Sequence, residues 1–305
     1  MKKKRNYLWV TLKGIAMGAA DVVPGVSGGT IAFITGIYEE LLDSIKSIDI
    51  EAIKLLFRFK WKALWKKING NFLVALVCGI GISIFSLAKL MTYLLHNHPI
   101  AIWSFFFGLI IASCFMVGKE IKKWNIVAVI ALIAGGVVAY TVTVASPTTT
   151  PDTWWFIMLS GAIAICAMIL PGISGAFILL LMGQYETLMK AVSELNIGVI
   201  AVFAVGAVIG IICFSHFLSW LLKNYHNMTV ALLTGFMAGS LNKIWPWKNE
   251  MEVFSNSRGA MLVEQNVLPD NFNGAPQIIL AVVMCLVGFF LIWGIEKAGA
   301  KKVKN

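Results

Sequence analysis

Apolar and polar positions along this 305-residue chain fall in long blocks. Apolar runs at about 72–95, 101–118, 125–145, 197–222, 229–245 and 277–295 are near the length that carries a helix across a ~30 Å hydrocarbon core, and predict transmembrane helices. Two further apolar segments, 7–38 and 154–185, are interrupted by Asp21 to Gly29 and by Pro171 to Gly175. Each arm of the first has only about a dozen residues and reaches about 18 Å, so the pattern predicts a re-entrant hairpin of two half-helices in each case. A pair of full crossings in place of each hairpin preserves the sidedness and is the alternative. The stretch 44–67 reads differently. Ile45, Ile48, Ile53, Leu56, Phe57, Trp61 and Trp65 recur at helical spacing among Lys46, Lys54, Arg58, Lys60, Lys62, Lys66 and Lys67, which predicts one amphipathic helix on the membrane surface. The residues 246–276 read as a polar external loop.

The blocks repeat. Positions 24–41 laid on 171–188, a shift of 147, agree at Pro24, Gly25, Ser27, Gly28, Ile31, Gly36, Tyr38, Glu39 and Leu41. At a shift of 127, Gly79, Gly108 and Ser113 meet Gly206, Gly235 and Ser240. The expected fold is an all-α polytopic membrane protein made of two repeats, 1–145 and 146–305. Each holds one broken hairpin and three transmembrane helices.

Composition supports a lipid environment: 59% of residues are hydrophobic and 13% charged, against about half and a quarter in soluble domains. The formal charge of +10 excludes nothing alone, but the basic residues sit at segment ends, as juxtamembrane charges do, so no nucleic-acid partner is expected. Placing both termini, 43–67, 119–123 and Lys223 in the cytoplasm leaves Lys190, Lys243, Lys248 and Arg258 outside. The expected location is the bacterial cytoplasmic membrane, with the N-terminus retained because no cleavage-site pattern follows it. Three crossings between the broken segments put the second on the opposite face, which makes the halves an inverted repeat. Cys78, Cys114, Cys166, Cys213 and Cys285 lie in apolar runs without metal-ligand spacing, so neither a disulfide framework nor a metal or other cofactor is expected.

The breaks carry the candidate chemistry. Proline and glycines leave backbone amides unpaired where bulk water is absent, and helices restarting after Ser27 and Ser174 would aim their first amides at an anion, with the serines as caps or ligand hydroxyls. The alternative is that the glycines serve tight helix packing. Asp21, a carboxylate in hydrocarbon, is read as a proton carrier or as the partner of a cation, and alternatively as a turn-forming cap for local amides. Lys89 and His216, equivalent at the 127 shift, are candidate phosphate or proton partners. Glu39 and Glu186 are candidates at the hairpin exits, where interfacial capping is the plainer role. No His-Glu-x-x-His or comparable catalytic constellation occurs, so the chain is not expected to be an enzyme.

The segments Ala19-Ala-Asp-Val-Val-Pro-Gly-Val-Ser-Gly-Gly-Thr30, Gly36-Ile-Tyr-Glu39 and Ile169-Leu-Pro-Gly-Ile-Ser-Gly175 resemble the paired signatures of the bacterial polyprenyl-phosphate transporter family. The resemblance runs over essentially the whole chain. It implies a flippase that returns undecaprenyl phosphate across the cytoplasmic membrane for envelope synthesis, among membrane lipids and with proton coupling as one option. By carry-over the substrate site comprises Asp21, Pro24, Gly25, Ser27, Gly28, Gly29, Thr30, Pro171, Gly172, Ser174 and Gly175. Ala176 departs from the small hydroxyl residue expected there. A small-anion carrier, a membrane-embedded lipid phosphatase and an assembly scaffold are the other readings.

Overall fold

The computed structural model describes residues 6–21, 27–145, 150–151, 153–255 and 259–303. In chain order the elements are α1 (Tyr7–Asp21), α2 (Gly28–Ile34), α3 (Tyr38–Lys46), α4 (Ile50–Phe57), α5 (Trp61–Lys67), α6 (Gly70–Asn97), α7 (Pro99–Gly118) and α8 (Ile126–Val144). They are followed by α9 (Trp154–Ile169), α10 (Gly175–Leu181), α11 (Tyr185–Ser193), α12 (Ile197–Asn224), α13 (His226–Ser240), the strands β1 (Lys248–Ser255) and β2 (Gly259–Asn266), and α14 (Ile278–Val303). Among the described residues α6, α7, α8 and α12 are long and apolar enough to cross a membrane. Large apolar side chains such as Phe85, Ile126 and Ile279 point outward from these helices and α14, as lipid-facing side chains do. The chain is a multi-pass membrane protein.

One expectation changes. The stretch 44–67 is three short helices, α3 to α5. Asp49 starts α4 by accepting from the Ala52 amide at 2.9 Å. Phe59 then ends it in a left-handed conformation, φ 53°, with Lys60 N–H returning to Leu55 O, so local capping overrides the helical spacing. The 246–276 loop is built around a β-hairpin of β1 and β2, with Met251 opposite Val263. Trp245 and Trp247 donate indole hydrogen bonds to Val267 O and Pro276 O, both at 2.8 Å, and anchor it to the helices.

The helices pair through glycines. A side chain at Gly14 would strike the Leu76 carbonyl and one at Gly79 the Thr11 carbonyl, so α1 and α6 run side by side and parallel at backbone contact. The counterpart residues do the same: Gly161 meets Phe203 O and Gly206 meets Met158 O, between α9 and α12. Small residues permit this approach, which supplies the dispersion that replaces a hydrophobic driving force in lipid. Gly108 and Gly288 bring α7 onto α14, and Gly135 and Gly235 bring α8 onto α13. Helices from the N-terminal part of the chain thus pack directly on helices from its C-terminal part.

A bond links the two helices on either side of each break. Lys13 Nζ, midway along α1, donates to Thr35 O just after α2 at 2.6 Å. Likewise the Thr150 hydroxyl, just before α9, donates to Met182 O at the end of α10. Both turns out of the short helices are built alike. Gly36 (φ +68°) and Gly183 (φ +66°) take the left-handed position, and the next amides, of Ile37 and Gln184, return to Ala32 O and Leu179 O at 3.0 and 2.9 Å. A β-carbon disfavours that conformation, which explains a glycine at both repeat positions.

Candidate functional site

The site is built where the two breaks meet. Val22 to Val26, and with them Pro24 and Gly25, lie outside the described residues. The others converge. Ser27 caps α2, accepting from the Gly29 amide at 3.1 Å, and its hydroxyl donates across the interface to Met168 O at 2.9 Å. Thr30 Oγ1 accepts from the Gly172 amide at 3.0 Å, and the Tyr38 hydroxyl donates to Ile169 O at 3.1 Å. Three hydrogen bonds thus join groups more than a hundred residues apart in sequence. They also satisfy carbonyls and an amide that the second break releases from helical bonding, which an apolar medium requires. Ser27 and Thr30 are buried.

Two glycines make the approach feasible. A β-carbon at Gly29 would overlap the Ile169 carbonyl oxygen, and Gly172 (φ +87°) presses on Phe236 O and the Met237 backbone of α13. Gly175 lies against Ala164 of α9, and Pro171 and Ser174 are buried with it. Ser174 caps α10 weakly, accepting from Phe177 N–H at 3.5 Å.

Among the described amides at the first break, those of Gly28 and Gly29 are held from within. Asp21 Oδ1 accepts from the Gly28 amide at 2.6 Å, and Ser27 holds the Gly29 amide. Of the roles considered for Asp21, capping of local amides is the one in place, and its carboxylate stands where an anion would be received. No ion pair joins it to Lys89, which is exposed on α6 among the described residues. His216 turns its Nδ1 to its own helix, 2.9 Å from Ile212 O. Glu39 and Glu186 are exposed in the first turns of α3 and α11, as favourable helix-dipole partners. These four are therefore not gathered at the breaks. Ala176 is exposed.

Sequence reasoning missed Tyr38 as a bridge. The two tyrosines match in the repeat, yet Tyr38 is 2% exposed and Tyr185 36%. It also missed Ser83 and Ser104, buried hydroxyls of α6 and α7 without a hydrogen-bond partner among the described residues. A lone serine in an apolar run carries no distinguishing signal.

The serines differ in what they hold, so their replacements should differ. Ser27→Ala loses a cap and a cross-break bond, together about 1–3 kcal/mol, whereas Ser174→Ala loses one long bond worth at most about 1 kcal/mol. Thermal unfolding in detergent and transport rates of the two variants check this: Ser27→Ala should be much the more impaired, and equal impairment would contradict the asymmetry.

A family profile described as undecaprenyl phosphate translocase-like matches residues 17–262, which include both breaks. The chain is 48% identical over 310 residues to a polyprenyl-phosphate transporter of Vibrio cholerae, with 98% of this chain and 99% of that one covered. It is 33% identical over 266 residues to a polyprenyl-phosphate transporter of Staphylococcus aureus, covering 79% of this chain and 88% of that one. No solved structure matches it.

Proposed function

Because the chain belongs to the undecaprenyl phosphate translocase-like family, whose relatives here are transporters and not enzymes, we propose that it carries a polyprenyl phosphate across the membrane by alternating access about the joined breaks. The observation that carries this reading is the direct bonding of the two breaks, Ser27 to Met168, Thr30 to Gly172 and Tyr38 to Ile169. A moving element and a polar centre coincide there. Undecaprenyl phosphate is the substrate, its phosphate reaching the breaks while its tail stays in lipid along the outward apolar faces.

Several contacts support an inverted repeat of two re-entrant hairpins. At 1.5 Å per residue α1 and α9 are roughly 22–24 Å long, short of a ~30 Å core. The Lys13–Thr35 and Thr150–Met182 bonds return α2 and α10 to the faces where α1 and α9 begin. Asp43 of α3, on the α1 starting face, accepts from Ser219 and pairs with Lys223 at the end of α12, at 3.1 and 3.4 Å. As α12 runs parallel to α9, the two hairpins enter from opposite faces. That first face collects the basic residues, so we assign it to the cytoplasm, in the cytoplasmic membrane, with both termini there.

The same contacts make the faces unequal. Asp43 latches α3 to α12, whereas among the described residues its counterpart on α11, Lys190, pairs with Glu194 at the end of its own helix, at 4.0 Å. On this reading the Asp43 contacts close the cytoplasmic face. Cysteines at Asp43 and Ser219, oxidised together, should block transport, and reduction should restore it; unchanged transport in the cross-linked protein would remove α3 from the gate. A single cysteine at Lys54 should be labelled from the cytoplasm.

The function itself is tested by leaflet-resolved movement of undecaprenyl phosphate in liposomes holding this protein alone. Faster equilibration than in empty liposomes is expected. Movement of inorganic phosphate without the lipid would identify a small-anion carrier instead, and release of phosphate from the lipid a phosphatase.

A further inference from the structure

On the face opposite the cytoplasmic one, where basic residues are few, two lysines stand together beside the second break. Lys243 follows α13 and Lys248 opens β1. Both ammonium groups lie on one carboxylate oxygen, Glu264 Oε2, at 3.2 and 3.3 Å. Each also faces an aromatic ring: Lys248 Nζ is 3.6 Å from the ring centre of Trp103 on α7, and Lys243 Nζ is 4.8 Å from that of Phe177 in the first turn of α10. Phe177 is the residue whose amide Ser174 caps, so this cation stands next to the second break.

Among the described side chains, two cations share one carboxylate, and the Lys248 side chain is 8% exposed. Burial, aided by Lys243 and opposed by Glu264, lowers the Lys248 ammonium to about 8. A buried cation without full compensation is unfavourable, and the positive-inside bias works against two lysines on this face. The aromatic faces stabilise the cations in part and carry no full negative charge.

We propose that Lys243 and Lys248 form a docking site for a phosphomonoester on the face opposite the cytoplasm, from which the head group passes to the joined breaks. Glu264 holds the two ammonium groups in the meantime and yields when a dianion, which offers more acceptor oxygens, takes its place. The chemistry recognised is a phosphomonoester, whether borne by a lipid or free. This inference rests on the transport reading above and adds to it the residues that first receive the substrate.

The test uses the purified full chain with farnesyl phosphate as lipid probe and inorganic phosphate as free probe, with binding followed by calorimetry. Lys243→Gln and Lys248→Gln should each weaken farnesyl phosphate binding about 10- to 100-fold, the range of a lost hydrogen bond to a charged group, while Lys243→Arg should retain it. Glu264→Gln should strengthen binding, because it removes the competing carboxylate. A structural triad gives the opposite sign: Glu264→Gln then weakens binding alongside the lysine variants and lowers Tm, and that result overturns the proposal. Parallel losses with inorganic phosphate would assign the site to the phosphate itself, and losses with farnesyl phosphate alone to a lipid head group; both support it. If wild type binds farnesyl phosphate and all three charge-removing variants bind equally well, the docking site fails while the transport reading stands. If wild type binds neither probe, the transport reading fails as well.

Discussion

Gly29→Ala is expected to reduce transport to the level of empty liposomes. Its β-carbon would overlap the Ile169 carbonyl oxygen, which is backbone and has no rotamer into which to withdraw. Either α2 retreats or the second break unwinds. A retreat of about 1 Å stretches the Ser27–Met168, Thr30–Gly172 and Tyr38–Ile169 bonds together. At about 0.5–1.5 kcal/mol each, with overpacking of about 1–3 kcal/mol, the loss is several kcal/mol. The control is Gly36→Ala, at φ +68° with no atom within 4 Å of the added carbon; it strains the chain by roughly 1–2 kcal/mol and should still transport. Transport and Tm measured for both variants decide the matter. Full activity in Gly29→Ala would mean that the breaks need not touch for function.

Asp21 carries the second large effect. Its carboxylate occupies the first amide of α2 through the 2.6 Å bond to Gly28, yet the proposed substrate is itself an anion. For both to share the site the carboxyl must move away or take up a proton, and uptake would couple lipid movement to a proton gradient. Asp21→Asn keeps an oxygen acceptor for Gly28 and mimics the neutral acid, so it should bind and move lipid phosphate while losing its dependence on the gradient. Asp21→Ala leaves a buried amide unsatisfied, at about 1–3 kcal/mol, and should lose both stability and transport. Transport at two external pH values checks this. Undiminished gradient dependence in Asp21→Asn would end the proton-carrier account and leave Asp21 as a cap. The rival pairing with Lys89 predicts misfolding of Asp21→Asn, and the exposed position of Lys89 on α6 gives that account no contact to rest on.

Much of this architecture was legible in the chain. Apolar blocks long enough to span lipid announce their helices whatever their neighbours, because in hydrocarbon a backbone must bond within its own segment. The expected runs at 101–118 and 125–145 accordingly fall on α7 and α8 within two residues. Matched glycines were visible as a repeat, and Gly36 with Gly183 was recoverable from local turn chemistry. By contrast, the division of 44–67 depended on Phe59 adopting a left-handed turn, which its residue type does not advertise.

What the sequence by itself determined is the solvent and the places of the long apolar helices, of which α6, α7, α8 and α12 are long enough to cross a membrane among the described residues; the paired motifs and their chemistry were expectations read from spacing. All of these follow from composition and spacing, which are properties of a segment and its immediate neighbours. Only the tertiary structure decided that the breaks bond to each other, that Asp21 takes the first amide of α2, that Tyr38 is a bridge while Tyr185 faces outward, and that Lys243 and Lys248 share Glu264. The bonds between the breaks join segments more than a hundred residues apart, and the others join separate elements closer along the chain. Such contacts are set by which helix faces can approach most closely, and by which polar groups then have no partner except one another.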